Sequence, residues 1–434
     1  MSVPISTLYS IFKENSIICI DSRKVESGCI FFALKGDNVD GNKYASQAIA
    51  DGASYAVIDD KDMLDGGQMI LVEDVLETLQ QLATYHREQL KIPLICITGT
   101  NGKTTTKELT AKVLSKKFNT IATLGNFNNH LGVPLSILRI SSETEVAVIE
   151  LGANHVGEID FLCGIAQPTH GLITNIGKAH LEGFGDLEGV KEAKSELYKY
   201  LQKNGGKAFV NYDNEMLREL AGEMNVVSYG TASGCTCQGT LVSVEKYLQL
   251  SYHLEEGAQD VSEINSQLMG AYNFENVLAA ICIGSFFQVP AADIVAAIEG
   301  YVPNNSRSQE IQTATNHVIM DAYNANPMNM RAALESFTSQ VKSDRVVILG
   351  DMLELGSYAQ EEHRAIVEYL IAQPYDRIIL VGEAFSKASS MLRCENFATV
   401  EEARTWLESS PVNGMTILVK GSRGIGLEAL LDKL

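Results

Sequence analysis

The chain has 434 residues, of which 45% are hydrophobic and 20% charged. That composition is ordinary for folded proteins and excludes a disordered or collagen-like chain. The 54 acidic residues outnumber the 34 basic ones and give a net charge of -20. This charge disfavours binding to nucleic acids or anionic membranes in general, so any polyanionic ligand has to be met by a local site.

The first 91 residues alternate short apolar runs with helical segments. The runs "GCIFFALKG", "SYAVIDD" and "QMILVED" predict strands, and helical spacing predicts helices over 44–53 and 75–90. The segment "KIPLI" ends the pattern, because Pro93 cannot continue a helix and disfavours one before it. We predict a small N-terminal α/β domain over residues 1–91.

Residues 92–305 carry nearly continuous Val, Ile and Leu runs, in "LICITG", "EVAVIELG", "GLITNIG" and "KAFVNYD", with helical segments between them. Strands buried on both faces of a parallel sheet have this pattern. We therefore predict a central parallel-sheet α/β domain. The polar, turn-rich "YVPNNSRSQE" marks its end. Residues 306–434 repeat the alternation, and we predict a C-terminal Rossmann-like α/β domain there.

The segment "CITGTNGKTTTKEL" follows the first strand of the central domain and precedes a helix predicted over 104–118. Glycines let backbone amides turn inward, and the helix N-terminus adds partial positive charge. Lys103 could then reach the β- and γ-phosphates of a nucleotide, and Thr104 could ligate magnesium. The common P-loop spacing requires glycine where this chain has Ile97, and it offers Gly99 instead. We predict a nucleoside triphosphate site, with a plain glycine-rich turn as the alternative.

Two later strand ends carry candidate metal ligands. Glu150 ends "EVAVIE", and carboxyl ends of parallel strands face the same crevice. It could hold the magnesium of the triphosphate, but a solvated carboxylate is an equal alternative. His180 follows another strand, although a lone histidine is more often a structural hydrogen-bonding residue. On spacing alone, Lys194 on the next helix is a solvent-facing charge.

The eight cysteines do not indicate a zinc site, since only Cys235 and Cys237 are close in sequence and no C-x-x-C occurs. We predict buried thiols in a reducing compartment, with Cys96 packed inside a strand. No apolar run approaches the ~18 residues of a spanning helix, and no secretory leader pattern opens the chain. We expect a cytoplasmic protein without stable membrane insertion.

Eight ordered segments resemble the ATP-dependent amino-acid ligases of bacterial cell-wall synthesis, the Mur ligase family, whose relatives include folylpolyglutamate synthetase. They are "GTNGKTTTK", "GNFNNHLGVP", "ELGANHVGEI", "TNIGKAHLEGFG", "AKSELY", "GAYNFENVLAA", "DAYNANP" and "GDMLELG". The second segment and "DAYNANP" resemble the branch that adds D-alanyl-D-alanine to UDP-N-acetylmuramoyl-tripeptide. The resemblance implies that the first domain binds the UDP end, the second binds ATP, and the third closes over both with the dipeptide.

The resemblance also implies roles for single residues in the central site. The residues that would wrap the phosphates are Gly99, Thr100, Asn101, Gly102, Lys103, Thr104 and Thr105. The residues near adenine, ribose and the phosphates would be Asn276, Asp321 and Arg307, with a linker charge as the alternative for Arg307. The metal ligands would be Thr104 and Glu150 for one magnesium ion and His180 for a second, joined by Lys194, where relatives carry a carbamylated lysine. The catalytic set would be Lys103, His180, Lys194 and Arg307.

Substrate-binding residues follow from the same resemblance. They would be Ser22 and Arg23 for uridine, Asn126, Asn128 and Asn129 for phosphate or the substrate carboxylate, and Asn324 and Asn326 for the dipeptide. Relatives often carry D-G-H after the uridine segment, whereas this chain has Asn42 in the third position. The resemblance therefore implies the uridine site here without the contribution of that histidine.

The implied reaction transfers the γ-phosphoryl of ATP to the tripeptide carboxylate, and the dipeptide amine then attacks the acyl phosphate. ATP and Mg²⁺ would be the cofactors, the substrates would be small molecules, and we expect a monomer. The nearest alternatives are another amide-forming ligase of the family, which adds the third peptide residue, and folylpolyglutamate synthetase. A nucleotide-gated switch is a further alternative, although the N-K-x-D motif of a GTPase is not found in the sequence.

Overall fold

The computed structural model describes residues 3–254, 262–304 and 306–434. Their strands form three sheets, of four, nine and six strands in chain order. Helices pack on the sheets, and the predicted α/β class with three domains is confirmed. Position 305, where the predicted second boundary falls, lies outside the described residues.

The N-terminal domain is built on a parallel sheet in the order β1-β2-β3-β4. Its strands are β1 (Ile18–Cys19), β2 (Ile30–Phe32), β3 (Tyr55–Ile58) and β4 (Met69–Leu71). Its helices are α1 (Ile5–Asn15), α2 (Ala45–Ala50) and α3 (Val75–Glu88), with 3-10 turns at Ser22–Lys24, Gly41–Tyr44 and Lys61–Met63. Helix α3 begins where predicted, because the Asp74 carboxylate accepts a hydrogen bond from the Glu77 amide and caps the first turn.

The central domain contains a nine-stranded sheet in the order β13-β12-β11-β10-β9-β8-β5-β7-β6. Its strands are β5 (Leu94–Thr98), β6 (Thr120–Ala122), β7 (Val146–Glu150), β8 (His170–Ile173), β9 (Lys207–Asn211), β10 (Val226–Gly230), β11 (Cys237–Ser243), β12 (Gln249–Leu254) and β13 (Ser262–Asn265). Its helices are α4 (Lys103–Leu114), α5 (Gly132–Leu138), α6 (Glu158–Ala166), α7 (Leu181–Phe184), α8 (Leu187–Asn204), α9 (Glu215–Ala221), α10 (Phe274–Phe286) and α11 (Ala291–Glu299), with a 3-10 turn at Ala271–Asn273.

Strand order places the glycine-rich segment over residues 99–105 at the middle of this sheet. Strand β5 lies between β7 and β8, and the chain continues first to one side of β5 and then to the other. In open α/β sheets, ligands bind outside the carboxyl ends of the strands at such a reversal. One edge differs from the parallel sheet that the sequence predicts, since β12 and β13 run antiparallel. The link over 244–248 is too short for the crossover that a parallel pair needs.

The C-terminal domain has a six-stranded sheet in the order β14-β15-β19-β16-β17-β18. Its strands are β14 (Gln309–Gln312), β15 (His317–Asp321), β16 (Arg345–Gly350), β17 (Arg377–Val381), β18 (Glu395–Phe397) and β19 (Thr416–Lys420). Its helices are α12 (Pro327–Gln340), α13 (Ala359–Ile371), α14 (Glu383–Ala388) and α15 (Val400–Ser409), with 3-10 turns at Gly356–Tyr358, Arg423–Ile425 and Leu427–Lys433. All neighbours are parallel except β14, which pairs antiparallel with β15.

Helix α3 attaches the N-terminal domain to the central domain through buried polar side chains. The Arg87 guanidinium donates from Nε to the Ala166 carbonyl at 2.9 Å and from Nη2 to the Gln167 carbonyl at 3.0 Å. These carbonyls lie at the end of α6, where a helix leaves acceptors without intrahelical partners. His86 Nε2 lies 2.8 Å from the Ile140 carbonyl oxygen. The two domains are therefore joined by hydrogen bonds from buried side chains.

Cysteine placement agrees with the predicted packing role. Seven of the eight cysteines are buried. Cys96 lies inside β5 with no exposed surface, and burial raises the pKa of its thiol. Within the part of the chain that the structure describes, no helix combines the length and apolarity needed to cross a bilayer.

We expect His170 to make the stability of the central domain dependent on pH. Its ring packs between Phe209, Phe286 and Phe287, and burial lowers its pKa to about 4, with Lys207 adding to the shift. The folded protein therefore keeps this ring neutral at pH values where the unfolded chain already binds a proton. We expect full stability above about pH 6.5 and a loss of up to about 3 kcal/mol as pH falls to about 4. Urea unfolding followed by circular dichroism at pH 7.0 and 4.5 measures this loss.

The matched variant for that measurement is His170→Asn, which keeps a polar side chain but does not titrate. The free energy of unfolding of the variant should not include the loss that protonation of His170 causes. The difference in this free energy between wild type and variant should therefore shrink as pH falls. An equal loss in both proteins would contradict the assignment to His170.

Candidate functional site

A cavity of about 910 Å³ lies between the central and C-terminal domains. Loops after β5, β7 and β8 line one side, and loops after β15, β16 and β19 line the other. The predicted site residues that line it are Thr100, Asn101, Gly102, Lys103, Thr104, Thr105, Asn126, Asn128, Asn129, Glu150, His180, Asn276, Arg307, Asp321 and Asn324. Among the described residues, the lining does not include Gly99, Lys194, Asn326, Ser22 or Arg23.

The phosphate loop, residues 99–105, has a backbone that requires glycine at two positions. Gly99 has φ +138°, and an added Cβ would lie 2.0 Å from Thr174 Oγ1. Gly102 has φ +80°, and an added Cβ would lie 2.4 Å from Asn276 Oδ1. Ile97 is still inside β5 and fully buried, so no turn requires glycine there. The departure from the common P-loop spacing therefore does not alter the turn itself.

Lys103 begins helix α4 and directs its ammonium group back onto the loop. Its Nζ donates to the carbonyls of Gly99 at 2.8 Å and Thr100 at 3.0 Å. Burial lowers the pKa of this lysine, Glu150 opposes that shift, and the nearby Arg307 adds to it. An anion at the loop would oppose this shift of the Lys103 pKa, because opposite charge stabilises a buried ammonium.

Glu150, at the end of β7, lies in a cluster of oxygen and amide groups. Its Oε2 accepts from Thr104 Oγ1 at 2.9 Å, and its Oε1 accepts from Asn128 Nδ2 at 2.8 Å. The Glu150 side chain is only 2% exposed, and Lys107 Nζ lies 4.0 Å from Oε2. A hydroxyl beside a buried carboxylate is the hard oxygen donor set that Mg²⁺ prefers. These residues fit a magnesium ion that is also bound to a triphosphate.

His180 and Lys194 do not join Glu150 in this arrangement. His180 Nδ1 lies 2.5 Å from Glu354 Oε2, across the domain boundary. Lys194 is 2% exposed, and its Nζ lies 3.4 Å from the Ala153 carbonyl and 5.2 Å from the Phe184 ring centre. Burial lowers the pKa of Lys194 to about 7. No three His, Cys, Asp or Glu side chains of the described residues are placed to hold a metal ion together.

Lys194 differs from what its spacing indicates. The sequence pattern alone suggests a solvent-facing charge, whereas helix α8 turns this lysine into the protein beneath the cavity. With the pKa near 7, about half of the amine is neutral at that pH. A neutral amine is the form that reacts with CO₂, which is chemically consistent with the predicted carbamylation.

Asparagine side chains join the phosphate loop to the C-terminal domain. Asn101 Oδ1 accepts from Asn326 Nδ2 at 2.8 Å and from Asn329 Nδ2 at 3.0 Å. Asn326 also caps α12 in a reciprocal box with Asn329. Asn276 packs against the loop from inside, since its Oδ1 accepts from Thr106 Oγ1 at 3.1 Å. The side-chain amides of Asn326 and Asn276 are therefore hydrogen-bonded to other protein groups in this structure.

The other predicted asparagines differ in what their side chains do. Asn129 Oδ1 accepts from the Gly132 amide at 2.9 Å and supports the start of α5. Asn324 Oδ1 accepts from the Ala325 amide at 2.9 Å. Asn126 lines the cavity in the same loop as Asn128.

Aromatic and charged groups organise the C-terminal wall of the cavity. Asp321 Oδ2 accepts from Lys420 Nζ at 2.6 Å, and Oδ1 accepts from the Ser308 amide at 3.0 Å. The Arg307 guanidinium carbon lies 3.7 Å from the centre of the Tyr323 ring. Such a stacked contact holds a guanidinium in one place while leaving its donors free for a ligand.

The predicted uridine residues occupy a 3-10 turn of the N-terminal domain. Arg23 is exposed and pairs with Asp21, with Nε 2.8 Å from Oδ1. Ser22 begins the same turn. Asn42, which stands where relatives often have histidine, is 1% exposed and donates to Asp40 and Asp59 carboxylates at 2.9 and 2.8 Å. Asn42 therefore acts as a structural link within this domain.

The sequence pattern does not identify several residues of the site. Asn175 Oδ1 accepts from the Asn101 amide at 2.9 Å, and Thr174 Oγ1 donates to the Asn101 carbonyl at 2.6 Å. Their position just after β8, beside β5, was a signal that could have found them. Glu354 and Arg423 follow strands of the other domain, so only the domain packing brings them to the cavity.

Comparison with protein families matches three models along the chain. The Mur ligase family, catalytic domain matches residues 14–93, the Mur ligase middle domain matches 97–284, and the Mur ligase, glutamate ligase domain matches 306–423. The chain is 35% identical over 428 residues to UDP-N-acetylmuramoyl-tripeptide–D-alanyl-D-alanine ligase of Escherichia coli (strain K12), covering 96% of this chain and 93% of that protein. It is 32% identical over 429 residues to the enzyme of the same name from Bacillus subtilis (strain 168), covering 96% and 92%.

The solved structures that are similar to this chain include two MurF ligases. A crystal structure of MurF from Acinetobacter baumannii superposes with a TM-score of 0.86 at 35% identity, covering 96% of this chain and 92% of that one. The crystal structure of MurF ligase from Thermotoga maritima in complex with ADP superposes with a TM-score of 0.83 at 25% identity, covering 96% and 97%. The similarity therefore includes all three sheets.

Proposed function

This chain belongs to the Mur ligase family, and from this we propose that it joins D-alanyl-D-alanine to UDP-N-acetylmuramoyl-tripeptide, with ATP converted to ADP and phosphate. The product is a precursor of bacterial peptidoglycan. Relatives that carry the name of this reaction match the chain over nearly its full length. The T. maritima enzyme, whose structure contains ADP, supports the use of an adenine nucleotide.

Amide formation from a carboxylate requires an activated acyl group, and phosphoryl transfer provides one. The γ-phosphoryl group of ATP passes to an oxygen of the tripeptide's terminal carboxylate and ADP leaves. The dipeptide amine then attacks the acyl carbon, loses a proton and displaces phosphate. Both reacting species are anionic, so the first step depends on positive charge beside the transferred group. No protein nucleophile is needed.

One observation carries the proposal: the phosphate loop faces the loops of the C-terminal sheet across a single cavity. Lys103 and Arg307 both line this cavity, and we propose that they lie beside the phosphates and stabilise the transferred phosphoryl group. Thr104 and Glu150 would hold magnesium, which would neutralise triphosphate charge. We propose His180 for a second ion, which requires it to leave Glu354. Asp321 and Asn276 are proposed for the nucleoside.

We retain the division into residues 1–91, 92–305 and 306–434, which the location of one sheet in each range supports. The N-terminal domain would bind the UDP end of the substrate through Ser22 and Arg23. The central domain would bind ATP, and the C-terminal domain would bind the dipeptide. We propose that the enzyme acts as a monomer in the bacterial cytoplasm, where these water-soluble substrates are available.

The test of the function is an ADP-release assay with purified protein, ATP, Mg²⁺ and UDP-N-acetylmuramoyl-tripeptide, with and without D-alanyl-D-alanine. We expect sustained ADP formation only with both co-substrates, and a product mass that corresponds to tripeptide plus dipeptide less water. Parallel reactions offer the acceptor and amine of the third-residue ligase, and folate with glutamate. ADP formation with one of those pairs instead would overturn the proposal, as would ATP hydrolysis that needs neither co-substrate.

Lys194→Ala should reduce kcat about 10- to 100-fold, the range for supporting groups of a metal site. Added formate should restore part of that activity, because a small carboxylate can occupy the place of the carbamate carboxyl group. Lys191→Ala is the matched control, since Lys191 lies on the same helix and pairs with Glu188 at 3.8 Å. Unchanged activity of Lys194→Ala, or a loss that formate and acetate do not affect, would contradict the carbamylation of this lysine.

A further inference from the structure

The incoming dipeptide carries a carboxylate that must be neutralised in a cavity already shared with a triphosphate. A buried or half-buried carboxylate is stable only when paired. The cavity is lined by a small set of fixed cationic side chains: Lys103, Arg307, Lys420 and Arg423. The partner of the dipeptide carboxylate should therefore come from this set.

Three of the four cations already have other tasks. Lys103 lies in the phosphate loop and donates to two of its carbonyls. Arg307 stacks on the Tyr323 ring at 3.7 Å and is the residue proposed above to stabilise the transferred phosphoryl group. Lys420 is 2% exposed and pairs with Asp321, with 2.6 Å between Nζ and Oδ2.

Arg423 is the remaining cation, and its guanidinium is available. It begins the 3-10 turn directly after β19 and is exposed to the cavity. Within the described residues, no carboxylate lies within 4.0 Å of its guanidinium nitrogens. A guanidinium offers two parallel N–H donors that match the two oxygens of a carboxylate.

The distance between Arg423 and Arg307 has an upper bound that is close to the length of a dipeptide. The Tyr323 ring centre is 3.7 Å from the Arg307 guanidinium carbon and 5.5 Å from that of Arg423. The two guanidinium groups are therefore no farther apart than these two distances together. An extended dipeptide spans about 7 Å. An amine at the acyl phosphate, near Arg307, would leave the carboxylate within reach of Arg423.

The turn that carries Arg423 is held in place by its neighbours. Ser422 Oγ accepts from the Leu353 amide at 2.9 Å and donates to the Ala325 carbonyl at 3.3 Å. These contacts join the loops after β16, β15 and β19 into one wall of the cavity. A ligand contact made by Arg423 is thus positioned by three adjacent strands.

We infer that Arg423 binds the free carboxylate of the incoming dipeptide and that Tyr323 positions its guanidinium. This inference rests on the proposed function, because it assumes a dipeptide acceptor in this cavity. It makes Arg423 a determinant of specificity, since amines without a carboxylate at that distance leave the guanidinium unpaired.

The test combines a variant with an altered substrate. Steady-state kinetics of ADP formation are measured for wild type and Arg423→Ala with D-alanyl-D-alanine and with D-alanyl-D-alaninamide, which lacks the carboxylate charge. We expect wild type to use the amide with a kcat/KM about 10- to 100-fold lower, the range for a lost charge-assisted contact. With the dipeptide, kcat/KM of Arg423→Ala should be lower than that of wild type by a similar factor. Replacing the dipeptide by the amide should lower kcat/KM of this variant little further. KM for ATP should stay unchanged.

If the role of Arg423 were purely structural, Arg423→Ala would lower kcat/KM equally for the dipeptide and for the amide. The ratio of the two kcat/KM values would then be the same as in wild type. Equal ratios in wild type and variant, or a wild type that does not discriminate between the two substrates, would overturn the inference. Arg423→Gln gives the same comparison should the alanine variant fail to fold, and Arg364→Ala, an exposed arginine of α13, is the matched control. Failure of the proposed function would give a different result from failure of this inference. The wild-type protein would then form no ADP with D-alanyl-D-alanine.

Discussion

Lys103→Ala is expected to lower kcat for ADP formation about 1,000-fold, the upper end of the loss for one preorganised group that stabilises developing charge. Lys103 begins α4 within the phosphate loop, and its Nζ is held by the carbonyls of Gly99 and Thr100. The triphosphate would draw the ammonium from these carbonyls onto the transferred phosphoryl group. The alanine variant loses that charge at the step where two anions approach each other.

The same variant should bind UDP-N-acetylmuramoyl-tripeptide with nearly unchanged affinity, which isothermal titration calorimetry measures in the absence of ATP. This follows because the uridine residues are proposed in the N-terminal domain. Lys112→Ala is the matched control, since Lys112 lies on α4 but donates to the Gly300 carbonyl at the surface. Retained ligation by Lys103→Ala would refute the role of this lysine.

Glu150→Gln is expected to raise the Mg²⁺ concentration for half-maximal activity about 100-fold, the upper end of the range for groups that support a metal ligand. Oε1 of Glu150 accepts from the Asn128 amide and Oε2 from the Thr104 hydroxyl, and the side chain is buried. A glutamine keeps the shape but removes the negative charge. Its amide also places a donor where one of these two donors now points.

Mg²⁺ titration of ADP formation measures this effect, and circular dichroism checks that the variant is folded. Glu143→Gln provides a carboxylate-to-amide change at an exposed position of the same domain and should leave the titration unchanged. A normal Mg²⁺ requirement in Glu150→Gln would mean that this carboxylate does not hold the ion.

Local sequence pattern predicts the elements of this protein well and the partners across domains poorly. Continuous apolar runs identify β5, β7 and β8 because both faces of these strands are buried. The need for Gly99 is partly local, in its φ of +138°, and partly set by Thr174 after the neighbouring strand β8. The antiparallel edge at β12 was missed, because its short connection matters only once the strand pairing is known.

The candidate site shows the same division. The meeting of Thr104 and Glu150 could be expected, since both follow neighbouring strands of one sheet. The burial of Lys194 could not be derived from spacing, because it depends on how α8 rotates against the sheet. The pairing of His180 with Glu354 joins two domains, and no periodicity in either segment encodes it.

The contact of Asn101 with Asn326 and Asn329 has a consequence for how often the two halves separate. These two hydrogen bonds have to break whenever the two domains separate. Their net worth is about 1 kcal/mol each, small enough for thermal agitation to undo. Uncharged amides are also insensitive to dissolved electrolyte, which weakens exposed ion pairs. Separation of the two domains should still respond to salt, because the ion pairs of His180 with Glu354 and of Lys178 with Glu362 cross the same boundary.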